Sequence, residues 1–459
     1  IYKKTKESSQ QTCVVQINNT GVEFPVGDQT QHLPATHRKF PYQIKLTKFG
    51  RFSILHARNE EEYLLWMTHL SRMAIRSDLH SRFKMDKVLG EGNFAVVYRA
   101  ISKENGKLPR AIKGFSKAAI LAESRLEQLS LCNEISILRK LDHPNLLRLH
   151  EVHETENSIY IVFDIHTGGE LQHLMKKFQA TPVSEEAVVT ILHGVAKGLK
   201  ELDTLNIAHR DLKPSNIMLR NNTNITPEDV VIVDFGLATE TSVKKYIYKR
   251  CGTPGYIAPE IISTKNSEDD FKVTTKCDIF SLGVIGYTMI AGQNPFIREN
   301  KLRDEIIKAN LECKLSFPEN IFGKYSHDLR SLLAEMCAKR LEDRPNIDEV
   351  LSNPLFAENS KSHRSVVEAS LQESASPRLN PASVGQSTRM LAFGPKVGYF
   401  KITQKSVLAS SSPKTKALGS SQGSTASTHQ SVHARTKFSL QTSTDSKDKT
   451  ESSSTHIKL

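Results

Sequence analysis

His209-Arg210-Asp211-Leu212-Lys213-Pro214-Ser215-Asn216, closed downstream by Asp234-Phe235-Gly236, is the stretch on which the reading of this chain turns. It gathers two carboxylates, a lysine and a carboxamide in a short span. Carboxylate and carboxamide oxygens are the hard donors that suit Mg²⁺. A carboxylate beside an attacking hydroxyl can also take up its proton. Asp-Phe-Gly alone is a chance tripeptide. An eight-residue run followed by it at this distance is a specific signal.

Further runs stand in order on both sides. Upstream, Leu89-Gly90-Glu91-Gly92-Asn93-Phe94-Ala95-Val96-Val97 lies between strand-like segments, and its glycines let backbone approach phosphates with no Cβ in the way. Arg110-Ala111-Ile112-Lys113 follows, then the helical pattern Cys132-Asn133-Glu134-Ile135-Ser136-Ile137-Leu138, then Tyr160-Ile161-Val162-Phe163-Asp164-Ile165-His166. Downstream come Cys251-Gly252-Thr253-Pro254-Gly255-Tyr256-Ile257-Ala258-Pro259-Glu260, Asp278 heading the apolar segment Ile279–Ile290, and Asp343-Arg344-Pro345. In this order the runs resemble the signatures of the eukaryotic protein kinases. The resemblance covers about 275 of the 459 residues.

The resemblance implies roles residue by residue. Asp211 would be the base toward the substrate hydroxyl, and Lys213 would reach the transferred phosphate, as in the serine/threonine-specific loop. Asn216 and Asp234 would hold Mg²⁺, and Lys113, paired with Glu134, would anchor the phosphates of ATP. Gly90 and Gly92 would cover those phosphates, with Ala95 standing where the family has its third glycine. Val97, Ala111 and Met218 would line the nucleotide pocket, Phe163 would stand behind the adenine, and the backbones of Asp164 and His166 would meet its edge. Thr253 and Glu170 would face the peptide, Glu170 toward its upstream side. Glu260 would pair with Arg344, and Asp278 would hold the catalytic loop. Gly168-Gly169-Glu170-Leu171 and the Cys251-Gly-Thr-Pro run are most similar to the calcium/calmodulin-dependent kinase group. No autoinhibitory helix is evident after Phe356. Relatives often carry a phosphorylated threonine two residues before the cysteine of Cys-Gly-Thr-Pro. Here that position is Lys249, so phosphorylation there is not expected to drive activity, and Thr241, Ser242, Tyr246 and Tyr248 remain as other acceptors.

Charge locates the partners. The net charge is +12, distributed as +5 over residues 1–82, −1 over 83–356 and +8 over 357–459. A nucleic-acid enzyme would carry its basic excess near the chemistry, which this chain does not. Basic flanks suit weak contact with anionic membranes. The six cysteines are scattered with no C-x-x-C spacing, which argues for a reducing, cytoplasmic setting and against zinc or a disulfide framework. The longest uncharged apolar run, Ile279 to Gly292, is 14 residues, too short for a membrane span.

Before the kinase-like region, residues 1–76 read as strands followed by a helix. Cys13–Ile17, Tyr42–Leu46 and Phe49–Leu55 have strand character, with a turn at Gly50. Asn59-Glu60-Glu61-Glu62 starts a helix as a capping box with acids at its N-terminus. Tyr63, Trp66, Met67, Leu70, Met73 and Ala74 fall on one apolar face. This pattern resembles the C-terminal half of a pleckstrin-homology domain, in which the helix plugs a bent barrel and its tryptophan packs inside. Ile1-Tyr2-Lys3-Lys4 would sit near an early strand, and the headgroup-binding strands would precede Ile1.

The expectation is an α+β chain with a two-lobed protein kinase fold, a small β-rich N-lobe and a large helical C-lobe. A partial β-barrel-plus-helix module occupies 1–76, a linker 77–82, the kinase domain 83–356, and a Ser/Thr/Lys-rich tail 357–459. The tail cannot bury enough apolar surface to order itself, and its one apolar island, Met390–Ile402, is a chance cluster or a docking peptide. The expected function is serine/threonine phosphorylation of proteins with ATP and Mg²⁺, with basic residues preferred upstream. A pseudokinase scaffold recruited by the N-terminal module is the alternative, and it would require loss of the lysine, the base or the metal aspartate. None is lost.

Overall fold

The computed structural model describes residues 20–25, 42–48, 51–92, 95–104, 108–122, 124–178, 183–243, 245–263, 271–297 and 302–359. The expected strand at Cys13–Ile17, the Gly50 turn, Ile1–Lys4, Asn93, Phe94 and the island Met390–Ile402 lie outside them.

In the N-terminal module β1 (Gly21–Glu23), β2 (Gln43–Lys48) and β3 (Arg51–His56) form an antiparallel sheet in that order. Helix α1 (Glu60–Met73) begins at Asn59, whose side chain accepts from the Glu62 N–H at 2.8 Å. The Glu62 carboxylate reaches back to the Arg58 N–H at 2.7 Å, one residue before the cap. Leu70 and Ala74 join Val22, Ile44 and Leu46 in a small core, with Phe24, Leu55 and Tyr63 packed against it. Trp66 departs from expectation. It is 42% exposed, beside the more open Leu64 and Leu65. The buried stripe runs through Tyr63, Leu70, Ser71 and Ala74, and at 100° per residue Trp66 lies about 60° round from Tyr63, at its edge.

The module is fastened to the neighbouring sheet. After α1 the chain runs parallel to one of that sheet's strands. The Arg76 N–H donates to the Val152 carbonyl and the Glu154 N–H to the Arg76 carbonyl, both at 2.8 Å. The expected linker is a short helix, α2 (Leu79–Arg82), whose Leu79 is fully buried against Phe83, Ala100, Ile112 and Val162.

The N-lobe contains β4 (Phe83–Glu91), β5 (Ala95–Ser102), β6 (Pro109–Ser116), α3 (Lys117–Ala122), α4 (Arg125–Leu138), β7 (Leu149–Glu154) and β8 (Ser158–Asp164). Its antiparallel sheet has the order β4-β5-β6-β8-β7. Register decides which side chains share a face. Val97 opposes Lys113, and Ala111 opposes both Arg99 and Phe163. With a side-chain period of two, Val97, Ala111, Lys113 and Phe163 fall on one face, where the resemblance needs them.

The C-lobe continues with β9 (Gly169–Glu170), α5 (Leu171–Phe178), α6 (Glu185–Thr204), β10 (Ile207–Ala208), β11 (Ile217–Leu219), β12 (Val230–Ile232), β13 (Thr239–Glu240), α7 (Pro259–Ile262), α8 (Lys276–Ala291), α9 (Arg303–Glu312), α10 (Glu319–Phe322), α11 (His327–Met336), α12 (Ile347–Leu351) and α13 (Pro354–Asn359). Helix α8 is buried from Cys277 through Ile290, which accounts for the long apolar run as a core helix. A Cβ on Gly286 would meet Leu333 Cδ2 at 2.5 Å, so that glycine sets the approach of α11. Gly292, at φ +70°, ends α8 in the left-handed conformation that glycine adopts without strain.

Candidate active site

Asp211 sits between β10 and β11, and local structure explains its place. The segment His209–Asp211 leaves β10. Its backbone is gripped by Asp278 at the start of α8, whose carboxylate accepts from the His209 N–H at 2.7 Å and the Arg210 N–H at 2.8 Å. Burial pushes the Asp278 carboxyl above its ordinary range, and His209 and these donors oppose that push. The His209 ring meets the Val233 carbonyl at 3.0 Å, tying the loop to the residue before Asp234. Arg210 and Asp234 both take left-handed backbone, at φ 66° and 65°. Such conformations cost a non-glycine residue energy and persist where surroundings over-determine them.

Around Asp211 the side chains close a triangle. One carboxylate oxygen accepts from the Thr253 hydroxyl at 2.7 Å, and the other from Lys213 Nζ at 2.8 Å. Lys213 Nζ also reaches Thr253 Oγ1 at 2.8 Å. Asn216 Nδ2 donates to the Asp211 carbonyl at 2.9 Å and to its carboxylate at 3.1 Å. That directs the Asn216 amide oxygen away from Asp211. β11 and β12 pair Ile217 with Ile232, and the Val233 N–H donates to the Asn216 carbonyl at 2.9 Å. Asn216 and Asp234 therefore lie together at one end of this hairpin.

Lys113 Nζ contacts Glu134 Oε1 at 2.8 Å, joining β6 to α4. Burial alone would push the lysine down, but Glu134 and Asp234 outweigh it and hold its pKa above the ordinary value. Gly90 pairs with Val97, and the Gly92 N–H closes the hairpin on the Ala95 carbonyl at 2.8 Å. Val97, Ala111, Phe163 and Met218 are all buried. At the connection between lobes, Asp164 is held by His150 at 2.7 Å and Arg110 at 3.3 Å. Burial resists ionisation, but His150 and Arg110 bring the carboxyl to about 2. His166 is buried, with its pKa lowered to about 4 by burial and by Arg220.

Glu170 is where the structure adds most. It lies on β9, paired with Met218, and is only 8% exposed, so it is no solvated helix-start residue. Burial pushes its carboxyl up to about 7, with Lys176 and Lys213 pulling the other way. His173 Nδ1 lies 3.5 Å from it. Glu260 pairs with Arg344 at 2.8 and 3.1 Å, as expected.

Sequence reasoning missed the links that hold α4. Ser130 Oγ donates to the Gly236 carbonyl at 3.1 Å, Asn133 Nδ2 to the Ala238 carbonyl at 2.8 Å, and Tyr248 Oη to Glu127 at 3.1 Å. The Arg210 guanidinium donates to the carbonyls of Leu237 at 2.9 Å and Tyr248 at 2.6 Å. The only sequence signal was helical spacing: Glu127, Ser130 and Glu134 stand at i, i+3 and i+7.

Residues 83–356 match the protein kinase domain family. The chain is 32% identical over 326 residues to the human serine/threonine-protein kinase DCLK2, covering 70% of this chain and 40% of that protein. It is 33% identical over 280 residues to calcium-dependent protein kinase 5 of Plasmodium falciparum, covering 61% and 46%. Against myosin light chain kinase A of Dictyostelium discoideum it is 29% identical over 287 residues, covering 62% and 92%. The chain spans about two-fifths of the length of the DCLK2 proteins it matches. The family match opens at Phe83, so the likeness of residues 1–76 to a pleckstrin-homology domain gains no support from it. The chain belongs to the protein kinase family, among relatives of the serine/threonine type.

Proposed function

We propose that this member of the protein kinase family transfers the γ-phosphate of ATP to serine and threonine hydroxyls of proteins. The observation that carries the reading is the conjunction at the cleft: the Asp211–Lys213–Thr253 triangle below and the Lys113–Glu134 pair above. In this reading Asp211 accepts the hydroxyl proton. Lys213 neutralises charge on the moving phosphoryl group, and Lys113 fixes the phosphates behind it. With little covalent work for the protein to do, positioning and charge stabilisation carry the rate. The Asn216 amide oxygen and the Asp234 carboxylate form a hard-oxygen pair at one hairpin end, which fits Mg²⁺. When bound there, the metal would neutralise the phosphate oxygens. The scaffold alternative requires a missing group, and none of Lys113, Asp211 and Asp234 is missing.

Glu170 gives the reading its substrate preference. A buried carboxylate beside the catalytic lysine favours a peptide that brings a guanidinium, which binds carboxylates as a fork. The expected preference is arginine upstream of the phosphorylated residue. The five free cysteines among the described residues suit a cytoplasmic setting, with anionic membranes as a weak secondary partner. Asp211→Asn tests the assignment: kcat on a peptide library with labelled ATP should fall by several orders of magnitude while nucleotide still binds. Near-normal kcat would remove Asp211 as the base.

A further inference from the structure

Helix α4 carries Glu134, and Lys113 is oriented for transfer only while that helix stays in place. Three of its side chains on one stripe face the cleft and the chain beyond Asp234. Glu134 meets Lys113 at 2.8 Å, Ser130 donates to the Gly236 carbonyl at 3.1 Å, and Glu127 accepts from the Tyr248 hydroxyl at 3.1 Å. Asn133, beside the stripe, donates to the Ala238 carbonyl at 2.8 Å. The Glu127 tie is the outermost and spans the largest break in sequence.

Tyr248 works at both ends. Its hydroxyl meets α4, while its backbone carbonyl accepts from Arg210 Nη1 at 2.6 Å. The Leu237 carbonyl takes Arg210 Nε at 2.9 Å. Arg210 adjoins Asp211, is buried, and has its fork directed at two carbonyls rather than at open solvent. The Tyr248 ring is 8% exposed and packs with Leu237 and Cys251, and Ile247 lies against them. Burial pushes its phenol above the ordinary range, against a hydrogen bond with Ser130 on α4. The neighbouring residue is Lys249, a side chain that can carry no hydroxyl phosphate.

We infer that Tyr248 is a positioning residue that holds α4 and Arg210 in the transfer-competent arrangement with no phosphate on the activation segment. The inference rests on the phosphotransfer reading above and names how that site is kept assembled. One residue supplies two acceptor-and-donor contacts that would otherwise need an added dianion between Arg210 and α4. The contacts bias an equilibrium between α4 docked and α4 displaced, so kcat follows the docked fraction.

The full chain, treated with phosphatase and shown phosphate-free by intact mass, is assayed on a peptide with kcat and KM measured separately. Phosphate-free wild type should keep most of the activity of untreated enzyme. Tyr248→Phe, which deletes only the hydroxyl, should lower kcat about tenfold, as expected for a hydrogen bond to a charged acceptor, with KM for ATP nearly unchanged. Glu127→Ala should do the same from the other end of the contact, so the test survives poor folding of either variant. Glu127→Gln, which keeps an acceptor, should recover most of the loss, and the double variant should lose no more than either single one. Both single variants turning over like wild type would overturn the inference. So would phosphate-free wild type that is inactive and regains activity on incubation with MgATP, although the phosphotransfer reading would stand. A wild type that phosphorylates nothing in either state overturns the phosphotransfer reading, and this inference with it.

Discussion

Replacing Glu170 with glutamine separates substrate reading from folding, because the two should move in opposite directions. The glutamate is 8% exposed and titrates at about 7 rather than 4.5, chiefly through burial. Its ionised form is what an incoming guanidinium needs. With a pKa of about 7, roughly a tenth of the free enzyme carries the charge at pH 6 and nine-tenths at pH 8. The ratio of kcat/KM for an arginine-containing peptide to that for its alanine counterpart should therefore rise about five- to tenfold between those values. Taking the ratio cancels titrations that both peptides share. At pH 8 the charge-assisted pair is worth roughly 1.5–3 kcal/mol, so Glu170→Gln should lower the arginine peptide's kcat/KM about 10- to 150-fold and leave the alanine peptide little changed. Stability should go the other way. Between about pH 4.5 and 7 the folded glutamate keeps a proton that the unfolded one has released, so stability falls as pH rises through that window. A gap of about 2.5 units corresponds to roughly 3 kcal/mol lost above pH 7. Glu170→Gln should accordingly raise Tm at pH 8 and not at pH 4.5. A flat peptide ratio from pH 6 to 8, or equal losses on both peptides, would refute the assignment of Glu170 to substrate reading.

Two further outcomes rest on buried charge and on the basic flanks. Arg344 is almost fully enclosed and pairs with Glu260 on two oxygens, so Arg344→Ala leaves an uncompensated carboxylate and should cost about 3–5 kcal/mol in urea unfolding; a loss below about 1 kcal/mol would contradict this. Binding of the full chain to anionic vesicles should be non-specific and fall steeply between low and physiological salt, and salt-resistant binding to one phosphoinositide would count against that expectation.

The candidate site was legible because most of it is local. Asp211, Lys213 and Asn216 lie on one short loop, and Asp234 arrives through a hairpin whose ends the sequence marks with Asp-Phe-Gly. The Lys113–Glu134 pair needed the resemblance, since a lysine and a glutamate 21 residues apart have no local reason to meet. What stayed hidden was tertiary. Nothing in the spacing of Glu127 and Tyr248, 121 residues apart, announces a contact. The resemblance placed Glu170 toward the peptide, but its enclosure comes from β9 pairing with β11, which nothing in the neighbouring residues announces. Trp66 failed for a different reason. Periodicity places it near an apolar stripe, but only the partner surface decides how wide the buried part of that stripe is.

The same distinction explains why the segment before Phe83 matters to the catalytic lobe. Arg139, at the end of α4, donates to the carbonyls of Arg72 at 3.3 Å and Ala74 at 3.4 Å, both at the end of α1. Arg72 in turn pairs with Asp142 at 3.2 Å and donates to the Leu141 carbonyl. Burial lowers the Arg139 guanidinium to about 10. Displacing the module would break both of these bonds, each worth roughly 1.5–3 kcal/mol for a charged donor. That cost falls on the helix carrying Glu134, five residues away. Helix α4 is thus held at its far end by α1 and along its cleft face by Gly236, Ala238 and Tyr248, with the Lys113 contact between the two grips. A module that looks separate in sequence is, in the folded chain, one of the supports of the helix that carries Glu134.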